Sequence, residues 1–231
     1  MLRGLLLVMP KEIMPWRNEE MLDADGRHGG KRIRQRPVPN SIHNPFSAVL
    51  LAGGRSTRMG RDKAALEIEG QLLWQRQLAT LRATGASELL ISGRPDGPYA
   101  DAGLPIIDDL TPGAGPLAAL EAVLPRITTS HLIVLAIDLP AMRADFLQML
   151  VKMALAKGCS VIPESEGRFE PLAAVYAPSL LPLVIECLRG DDRSMQNLLR
   201  AAVKQQLAIA HPISAEAQTF FRNLNSPEDL K

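Results

Sequence analysis

The sequence predicts an α/β fold with a mostly parallel sheet, and three features of the 231-residue chain support that prediction. Short apolar runs of strand length alternate with stretches of helical spacing. The apolar runs are continuous in Val, Ile and Leu, which is typical of parallel strands covered by helices on both faces. A hydrophobic fraction of 46% is enough for one sizeable core. We therefore expect one α/β domain.

The predicted elements follow one another in the order that such a fold requires. A strand over 46–51 runs straight into a glycine-containing loop, and helical spacing begins at Leu72. Further apolar runs then alternate with helix-like stretches. The predicted strands are 88–91, 105–107 and 132–137, and the predicted helices lie near 117–124 and 145–156.

Residues 1–45 differ in composition from the rest of the chain. They hold eight Lys or Arg and five Asp or Glu, and glycines and prolines break any periodicity. Their net charge of +3, against +1 for the whole chain, leaves −2 for the remainder. We expect a disordered leader over 1–45, which is either a solvated tail or a contact for a partner or membrane. A single domain is predicted over 46–231.

Charge and cysteine content exclude several classes of protein. A net charge of +1 gives no basis for nucleic-acid binding, which rests on clustered Lys and Arg. Two cysteines neither build a disulfide framework nor supply a structural zinc site, so we expect a reducing, cytoplasmic location. The apolar run at 5–9 is too short for a membrane span, and charged residues follow it, so no export signal is predicted. A small-molecule substrate fits these limits best.

A glycine-rich loop directly after the first strand is the strongest functional signal. Residues 51–63 read L-A-G-G-R-S-T-R-M-G-R-D-K, and ligands of parallel sheets bind beyond the carboxyl ends of the strands. Glycine permits the close approach by which backbone N–H groups reach phosphate oxygens, and basic side chains supply charge. The loop fits neither the Walker A motif nor the G-x-G-x-x-G fingerprint, and an ordinary βα turn is the alternative. The residues concerned are Gly53, Gly54, Gly60, Arg58 and Lys63.

The pattern L-A-G-G-x-S-x-R-M-G-x-D-K resembles the signature of the molybdenum cofactor guanylyltransferase family, and further matches extend over 46–231. The resemblance implies a Rossmann-like three-layer sandwich with a mostly parallel sheet, of the nucleotide-diphospho-sugar transferase type. It also implies that Leu51 and Ala52 contact the nucleotide together with the loop glycines. The pair Gly53–Gly54 favours the guanylyl branch, because cytidylyl relatives more often carry Ala-Ala-Gly there.

An aspartate, Asp138, follows the apolar run at 132–137 and is expected on the same sheet edge as the glycine loop. Taken alone, it could instead cap the helix predicted after Pro140. A magnesium ion that bridges nucleotide phosphates needs hard oxygen ligands, typically one or two carboxylates. Asp138 resembles the family's metal-binding aspartate in the motif C-D-x-P, with Ile137 in place of the Cys. The resemblance therefore implies Mg²⁺ as the cofactor and Asp138 as its ligand.

Three further positions are predicted to contact the nucleotide. Asp109 follows the strand at 105–107 and resembles a nucleotide-contacting position, although a turn-forming aspartate is the alternative. Gly115 lies in G-A-G-P-L-A, which resembles the family's G-P-L-A/G segment on the side of the nucleotide base. Ser92 falls where some family members carry an Asn that binds the guanine nucleotide. Serine has a shorter reach, so the choice of base stays open.

The acceptor is predicted to face the second half of the chain. Residues 167–176 resemble the family's strand that begins P-E-P-L. In the segment G-D-D-R-S-M, the resemblance places Arg193 where it would meet an anionic pterin phosphate. The alternative is a solvated loop before a helix that is capped by Asp191 or Asp192.

The C-terminal segment F-R-N-L-N-S-P-E-D-L resembles the family's N-x-N-T-P-E-E/D-L. Asn223 and Asn225 alternate along a predicted terminal strand, so both side chains would project to one face. We expect that face to contact metal, phosphate or pterin. The residues from 226 to 228 also fit a helix start, with an N-cap serine followed by proline.

The implied reaction is attack by the terminal phosphate of Mo-molybdopterin on the α-phosphate of GTP, with release of pyrophosphate. Arg58 and Lys63 would stabilise the developing phosphate charge, and Asp138 would bind Mg²⁺, because such chemistry depends on positioning and charge. The implied partners are GTP, Mo-molybdopterin, and molybdoenzymes or other cofactor-biosynthesis proteins. The alternatives are a cytidylyltransferase or sugar-phosphate nucleotidylyltransferase of the same fold, and a non-catalytic nucleotide- or cofactor-binding adaptor.

Overall fold

A mixed, mostly parallel sheet forms the centre of the structure, a computed structural model that describes residues 45–53 and 62–224. The strands are β1 (Ser47–Leu51), β2 (Glu67–Ile68), β3 (Gln71–Leu72), β4 (Glu88–Ser92), β5 (Ile106–Ile107), β6 (Leu132–Ala136), β7 (Ser160–Ser165), β8 (Arg168–Phe169), β9 (Ala173–Tyr176) and β10 (Ala208–Pro212). Within the described residues the main sheet runs β10-β7-β9-β6-β1-β4-β5, and β8 pairs with β7. Strands β2 and β3 form a separate hairpin.

The first half of the main sheet is parallel and the second half is mixed. Ser47 of β1 pairs with Glu88 of β4 on one side and with Leu132 of β6 on the other. Strand β5 continues this parallel arrangement beside β4. Strand β9 is antiparallel to β6 and β7, and β10 is parallel to β7. The carboxyl ends of β1, β4, β5 and β6 therefore meet at one edge.

Helices cover both faces of the sheet and give the three-layer sandwich that the sequence predicts. The helices are α1 (Leu73–Ala83), α2 (Pro116–Val123), α3 (Ala144–Lys157), α4 (Leu181–Arg189), α5 (Met195–Lys204) and α6 (Ala215–Gln218). One core contains Leu50 of β1 with buried leucines of α1 and α3. The other contains Val49 of β1 with buried residues of α2, α4 and α5. Successive residues of a buried strand thus feed opposite cores.

The predicted terminal strand that would carry Asn223 is wrong. Residues 222–224 form no strand and follow a 3₁₀ turn over Thr219–Phe221. Phe220 and Phe221 pack edge-on against Phe146 of α3, with ring centroids 5.8 and 5.6 Å away. The N–H of Leu224 donates to the backbone carbonyl of Asp138 at 2.8 Å. These contacts hold the segment against α3 and the loop of Asp138.

Several predicted features lie outside the described residues. These include most of the leader over 1–45, the loop residues Gly54, Arg58 and Gly60, and Asn225. The leader and the domain boundary therefore stay predictions. Among the helices at 62–224, none is long and apolar enough to cross a membrane.

Candidate active site

A cleft of about 1000 Å³ opens where the four parallel strands end. Its walls include residues 51–53 after β1, 92–94 after β4, 108–109 after β5 and 136–138 after β6. The cleft is also lined by Asp62 and Lys63, which follow the glycine-rich segment in the sequence. The structure thus brings together the strand ends that the sequence predicts to form one site.

Lys63 and Asp138 face each other in this cleft. The Lys63 Nζ lies 3.4 Å from Asp138 Oδ2, and the two side chains are 21% and 23% exposed. The same Nζ donates a hydrogen bond to the backbone carbonyl of Leu224 at 2.8 Å. Because Leu224 N–H also bonds the Asp138 carbonyl, the C-terminal segment holds both partners of the pair.

One oxygen of Asp138 has no partner within the described residues. Its Oδ1 is buried and accepts no hydrogen bond from them, whereas Oδ2 faces Lys63. An unpaired buried carboxylate oxygen is costly, and a cation relieves that cost. Helix α3 begins with Arg143 as its N-cap, so the alternative that Asp138 caps this helix is wrong.

The donor set around Asp138 fits Mg²⁺ rather than a metal held in a protein cage. Within 45–53 and 62–224, no three His, Cys, Asp or Glu side chains gather closely enough to hold a metal ion. Magnesium is commonly bound by one or two carboxylates, with substrate phosphates and waters completing its shell. Asp138 lines the large cleft, and its carboxylate, one oxygen of which accepts no hydrogen bond from the described residues, meets that requirement.

A buried glutamine holds the loop that carries Asp138. Gln77 of α1 is fully buried, and its Nε2 donates to the carbonyls of Ala136 and Leu139 at 3.0 and 2.8 Å. The N–H of Ile137 donates to the Leu51 carbonyl at 3.0 Å. These bonds fix the backbone on both sides of Asp138. The sequence analysis missed Gln77, because a polar residue in an amphipathic helix is ordinarily expected on the solvent face.

The first residues of the glycine loop are hydrogen-bonded to the end of β4. The N–H groups of Ala52 and Gly53 both donate to the Ser92 carbonyl, at 2.8 and 3.0 Å. Ser92 itself is buried at 2% exposure and lines the cleft. A Cβ on Gly53 would lie 3.6 Å from the Cα of Gly93, an ordinary contact distance. The N–H of Gly53 is therefore occupied within the protein, which differs from the free donor that the glycine pattern predicts.

The nucleotide half continues through Asp109 and Gly115, which both line the cleft. Asp109 is half-buried, and burial together with the neighbouring Asp108 raises the pKa of its carboxyl. Its N–H is held by Asp108 Oδ1 at 2.9 Å. Gly115 precedes α2 with a φ of +60°, a conformation that favours glycine, and Pro116 starts the helix.

Arg94 is a cleft residue that the sequence analysis missed. Its guanidinium Nη2 lies 3.0 Å from Asp62 Oδ2. Its backbone N–H donates to the hydroxyl of the buried Tyr99 at 2.9 Å. A Cβ on Gly93 would lie 2.0 Å from that hydroxyl oxygen, so only glycine fits there without a shift. The one signal in the sequence is that Arg94 follows a predicted strand end closely.

The two described acceptor residues lie at exposed positions, and Asn223 adjoins Leu224, which bonds both Lys63 and Asp138. Arg193 and Asn223 are not among the residues that line the cleft, although Leu172 is. Helix α5 has Ser194 as its N-cap, so the predicted cap by Asp191 or Asp192 is wrong. The Asp192 carboxylate instead accepts from the Ser194 N–H at 3.0 Å and from the Asn197 side chain. Asp192 thus stabilises the loop before the helix.

The parallel strand ends and the cleft that they line belong to a nucleotidyltransferase fold. A family model described as MobA-like NTP transferase domain matches residues 48–208. The chain belongs to this family and is a nucleotidyltransferase, which confirms the predicted family, fold class and enzyme class.

Similar proteins share most of their length with this chain. A probable molybdenum cofactor guanylyltransferase of Opitutus terrae is 36% identical over 187 residues, which cover 80% of this chain and 92% of that protein. A molybdenum cofactor guanylyltransferase of Serratia proteamaculans is 34% identical over 192 residues, covering 81% and 93%. The crystal structure of molybdopterin-guanine dinucleotide biosynthesis protein A from Archaeoglobus fulgidus matches with a TM-score of 0.66 and 25% identity, covering 80% and 94%. A cytidylyltransferase from Thermus thermophilus shares the fold, with a TM-score of 0.55, 18% identity, and 79% and 94% coverage.

Proposed function

We propose that this protein is a molybdenum cofactor guanylyltransferase, which transfers GMP from GTP to Mo-molybdopterin and releases pyrophosphate. The family match and the names of relatives at 36% and 34% identity support this proposal. The observation that carries it is the Lys63–Asp138 pair in the cleft, with one Asp138 oxygen free of hydrogen bonds from the described residues. A lysine ammonium beside a carboxylate at the end of parallel strands suits a nucleotide with its metal.

The proposed reaction needs no enzyme nucleophile. A terminal phosphate oxygen of the acceptor forms a new bond to the α-phosphorus of GTP, and the bond from that phosphorus to the bridging oxygen of pyrophosphate breaks. The protein contributes position and positive charge. In this proposal Lys63, with Arg58, stabilises the charge that develops on the phosphates, and Leu224 orients the Lys63 ammonium through its carbonyl.

Asp138 would hold Mg²⁺ through its carboxylate. When bound, the ion neutralises phosphate charge and orients the phosphate oxygens. Gly54 and Gly60 are proposed for the phosphate cradle. Gly53 would instead position the entrance of the loop, since its N–H already donates to the Ser92 carbonyl.

The base is proposed to lie between the ends of β4 and β5 and the start of α2. Ser92, Asp109 and Gly115 line that part of the cleft, next to Leu51 and Ala52. Guanine is the proposed base because the relatives carry guanylyltransferase names. A CTP-using enzyme is the second candidate, because Ser92 is buried and shorter than the Asn of some family members.

Pyrophosphate release separates these candidates. The purified protein is mixed with Mg²⁺ and molybdopterin, and GTP, CTP, ATP and UTP are compared at equal concentration. Preference for GTP supports the proposal, and preference for CTP moves the protein to the cytidylyl branch. Binding of nucleotide without release from any of the four contradicts catalysis on this acceptor and favours a sugar phosphate or an adaptor role.

The acceptor is proposed to approach from the side of residues 167–176, where Leu172 reaches the cleft. Arg193, Asn223 and Asn225 are the proposed acceptor contacts. Molybdoenzymes or other cofactor-biosynthesis proteins are the proposed recipients of the product, in the cytoplasm. A chain starting at 46 should retain full GTP-dependent turnover if the leader is dispensable, and its loss of turnover would contradict the proposed domain boundary.

A further inference from the structure

The end of strand β4 contacts the residues on both sides of the glycine-rich segment. The Ser92 carbonyl accepts from the N–H of Gly53, at 3.0 Å. Arg94, two positions further, holds Asp62 through Nη2 and Oδ2 at 3.0 Å. Gly53 and Asp62 flank residues 54–61 in the sequence. One short segment therefore sets where the chain enters and leaves the glycine-rich stretch.

Asp62 links this contact to the proposed catalytic lysine. Its Oδ1 accepts from the N–H of Ala64 at 3.0 Å and caps the 3₁₀ turn over Lys63–Ala65. Its Oδ2 is bound by Arg94, so both carboxylate oxygens are engaged. The orientation of the Asp62 carboxylate therefore sets the start of the turn that carries Lys63. A change at Arg94 would reach Lys63 through this one side chain.

Arg94 is itself built on a rigid support. Its N–H donates to the hydroxyl of Tyr99, whose side chain is 1% exposed. Gly93 and Gly97 lie against the same ring, where an added Cβ would come within 2.0 and 2.4 Å of ring or hydroxyl atoms. The guanidinium is 53% exposed on the cleft wall, and the more exposed Asp96 lies 3.9 Å from its Nε. The backbone of Arg94 is thus fixed while its charge remains available to Asp62.

Charge gives the pair a second consequence. Asp62 is 23% exposed and lines the cleft, so without a partner it would place a negative charge where a nucleotide triphosphate is proposed to bind. That carboxylate would repel the phosphates, because like charges repel through a medium of intermediate dielectric constant. Arg94 offsets the charge of the Asp62 carboxylate, so the wall beside Lys63 carries one uncompensated negative charge fewer.

We propose that Arg94 is a positioning residue for nucleotide binding, and that it acts through Asp62 by orienting and neutralising that carboxylate beside Lys63. This inference rests on the proposed function. It assigns a role to Arg94, which lies outside the glycine-loop pattern, and to Asp62 of that pattern, for which the sequence predicts no role. It predicts energetic coupling between Arg94 and Asp62 in nucleotide affinity.

A double-mutant cycle measures that coupling. GTP binding in the presence of Mg²⁺ is followed by calorimetry for the wild type, Arg94→Met, Asp62→Asn and the double variant. We expect Arg94→Met to weaken binding about fivefold in the wild-type background and less than about twofold in the Asp62→Asn background, because the unpaired carboxylate is then absent. Arg94→Lys should recover most of the affinity, since it retains the charge. Steady-state turnover should show the loss mainly as a higher KM for GTP.

Arg143→Met is the matched control, because Arg143 is an exposed arginine paired with Asp145 and does not line the cleft. It should bind GTP like the wild type. An equal loss of GTP affinity from Arg94→Met in both backgrounds would show that Arg94 contacts the nucleotide directly, and it would overturn the inference. Unchanged GTP affinity in Arg94→Met would also overturn the inference. If the wild type binds none of the four nucleotides, the proposed function fails. If it binds GTP without coupling, the inference alone fails.

Discussion

The nucleotide half and the predicted acceptor half of the site differ in how strictly the backbone places their side chains. In the nucleotide half, Ser92 is the last residue of β4, Asp109 and Asp138 lie two residues beyond β5 and β6, and all three line one cleft. In the acceptor half, Arg193 and Asn223 lie in exposed segments outside regular strands and do not line that cleft.

The difference follows from strand direction. Parallel strands in register deliver their carboxyl ends to one edge, so position in the sequence is enough to bring distant residues together. The acceptor half surrounds antiparallel strands β7, β8 and β9, whose ends point in opposite directions. Loops and the C-terminal segment must then place the side chains, and their paths depend on packing.

The largest expected effect tests the nucleotide half. Asp138→Asn and Lys63→Ala should each lower turnover about a thousandfold, because each removes a charge that faces the phosphates. Both variants should remain folded, since the two side chains are 23% and 21% exposed. Steady-state pyrophosphate release and thermal unfolding measure the two properties. Asp145→Asn, at an exposed position outside the cleft lining, is the control, and near-wild-type turnover in either site variant would contradict the site assignment.

The second prediction asks whether the two halves are separate. Leu224→Ala removes a side chain that is 2% exposed and loosens the carbonyl that holds Lys63. We expect a loss of about 3 kcal/mol in the free energy of unfolding, together with weaker GTP binding. Leu199→Ala, at a fully buried leucine of α5, should lose similar stability without changing GTP affinity. Equal GTP affinity in the two variants would mean that the C-terminal segment serves packing alone.

A third, smaller effect concerns the support of Arg94. Gly93→Ala should cost about 1–3 kcal/mol of unfolding free energy, because the new Cβ would meet the buried Tyr99. Gly190→Ala is the matched control, since the nearest atoms to its Cβ would be 3.7 and 3.8 Å away. Urea unfolding compares them. If Gly93→Ala proves as stable as Gly190→Ala, the backbone after β4 is less rigid than its packing against Tyr99 indicates.

The smallest expected effect is a pH dependence at Asp109. Burial first, and then Asp108, raises the pKa of the Asp109 carboxyl, so the folded state binds its proton more tightly than the unfolded state. Wild-type stability should therefore fall relative to Asp109→Asn as pH rises from the ordinary aspartate pKa of about 3.9 through the raised value. Thermal midpoints of the two proteins across this window measure the difference. Asp108→Asn should reduce the pH-dependent part of this stability difference. A stability difference that is independent of pH would contradict the environment assigned to Asp109.

Much of the nucleotide half could be predicted from residues alone. Position after a predicted strand indicates Ser92, Asp109 and Asp138, and resemblance to a loop before a helix indicates Gly115; all four lie on the cleft wall. The alternative that Asp191 or Asp192 caps α5 is wrong, because Ser194 has that position. Consecutive polar residues are all plausible caps, and the choice depends on where the loop directs the chain.

Taken by itself, the sequence determined the class of fold, the position of several strands along the chain and the sheet edge at which the candidate nucleotide site lies. These features have local signals in the sequence. Hydrophobic spacing marks each helix and strand, and the parallel direction of the strands brings their carboxyl ends to one edge of the sheet. Only the tertiary structure decided how Lys63 meets the Leu224 carbonyl 161 positions away, and how Asp62 meets Arg94 32 positions away. Such contacts have no periodic signal, since they arise when packing brings unrelated segments within hydrogen-bond distance.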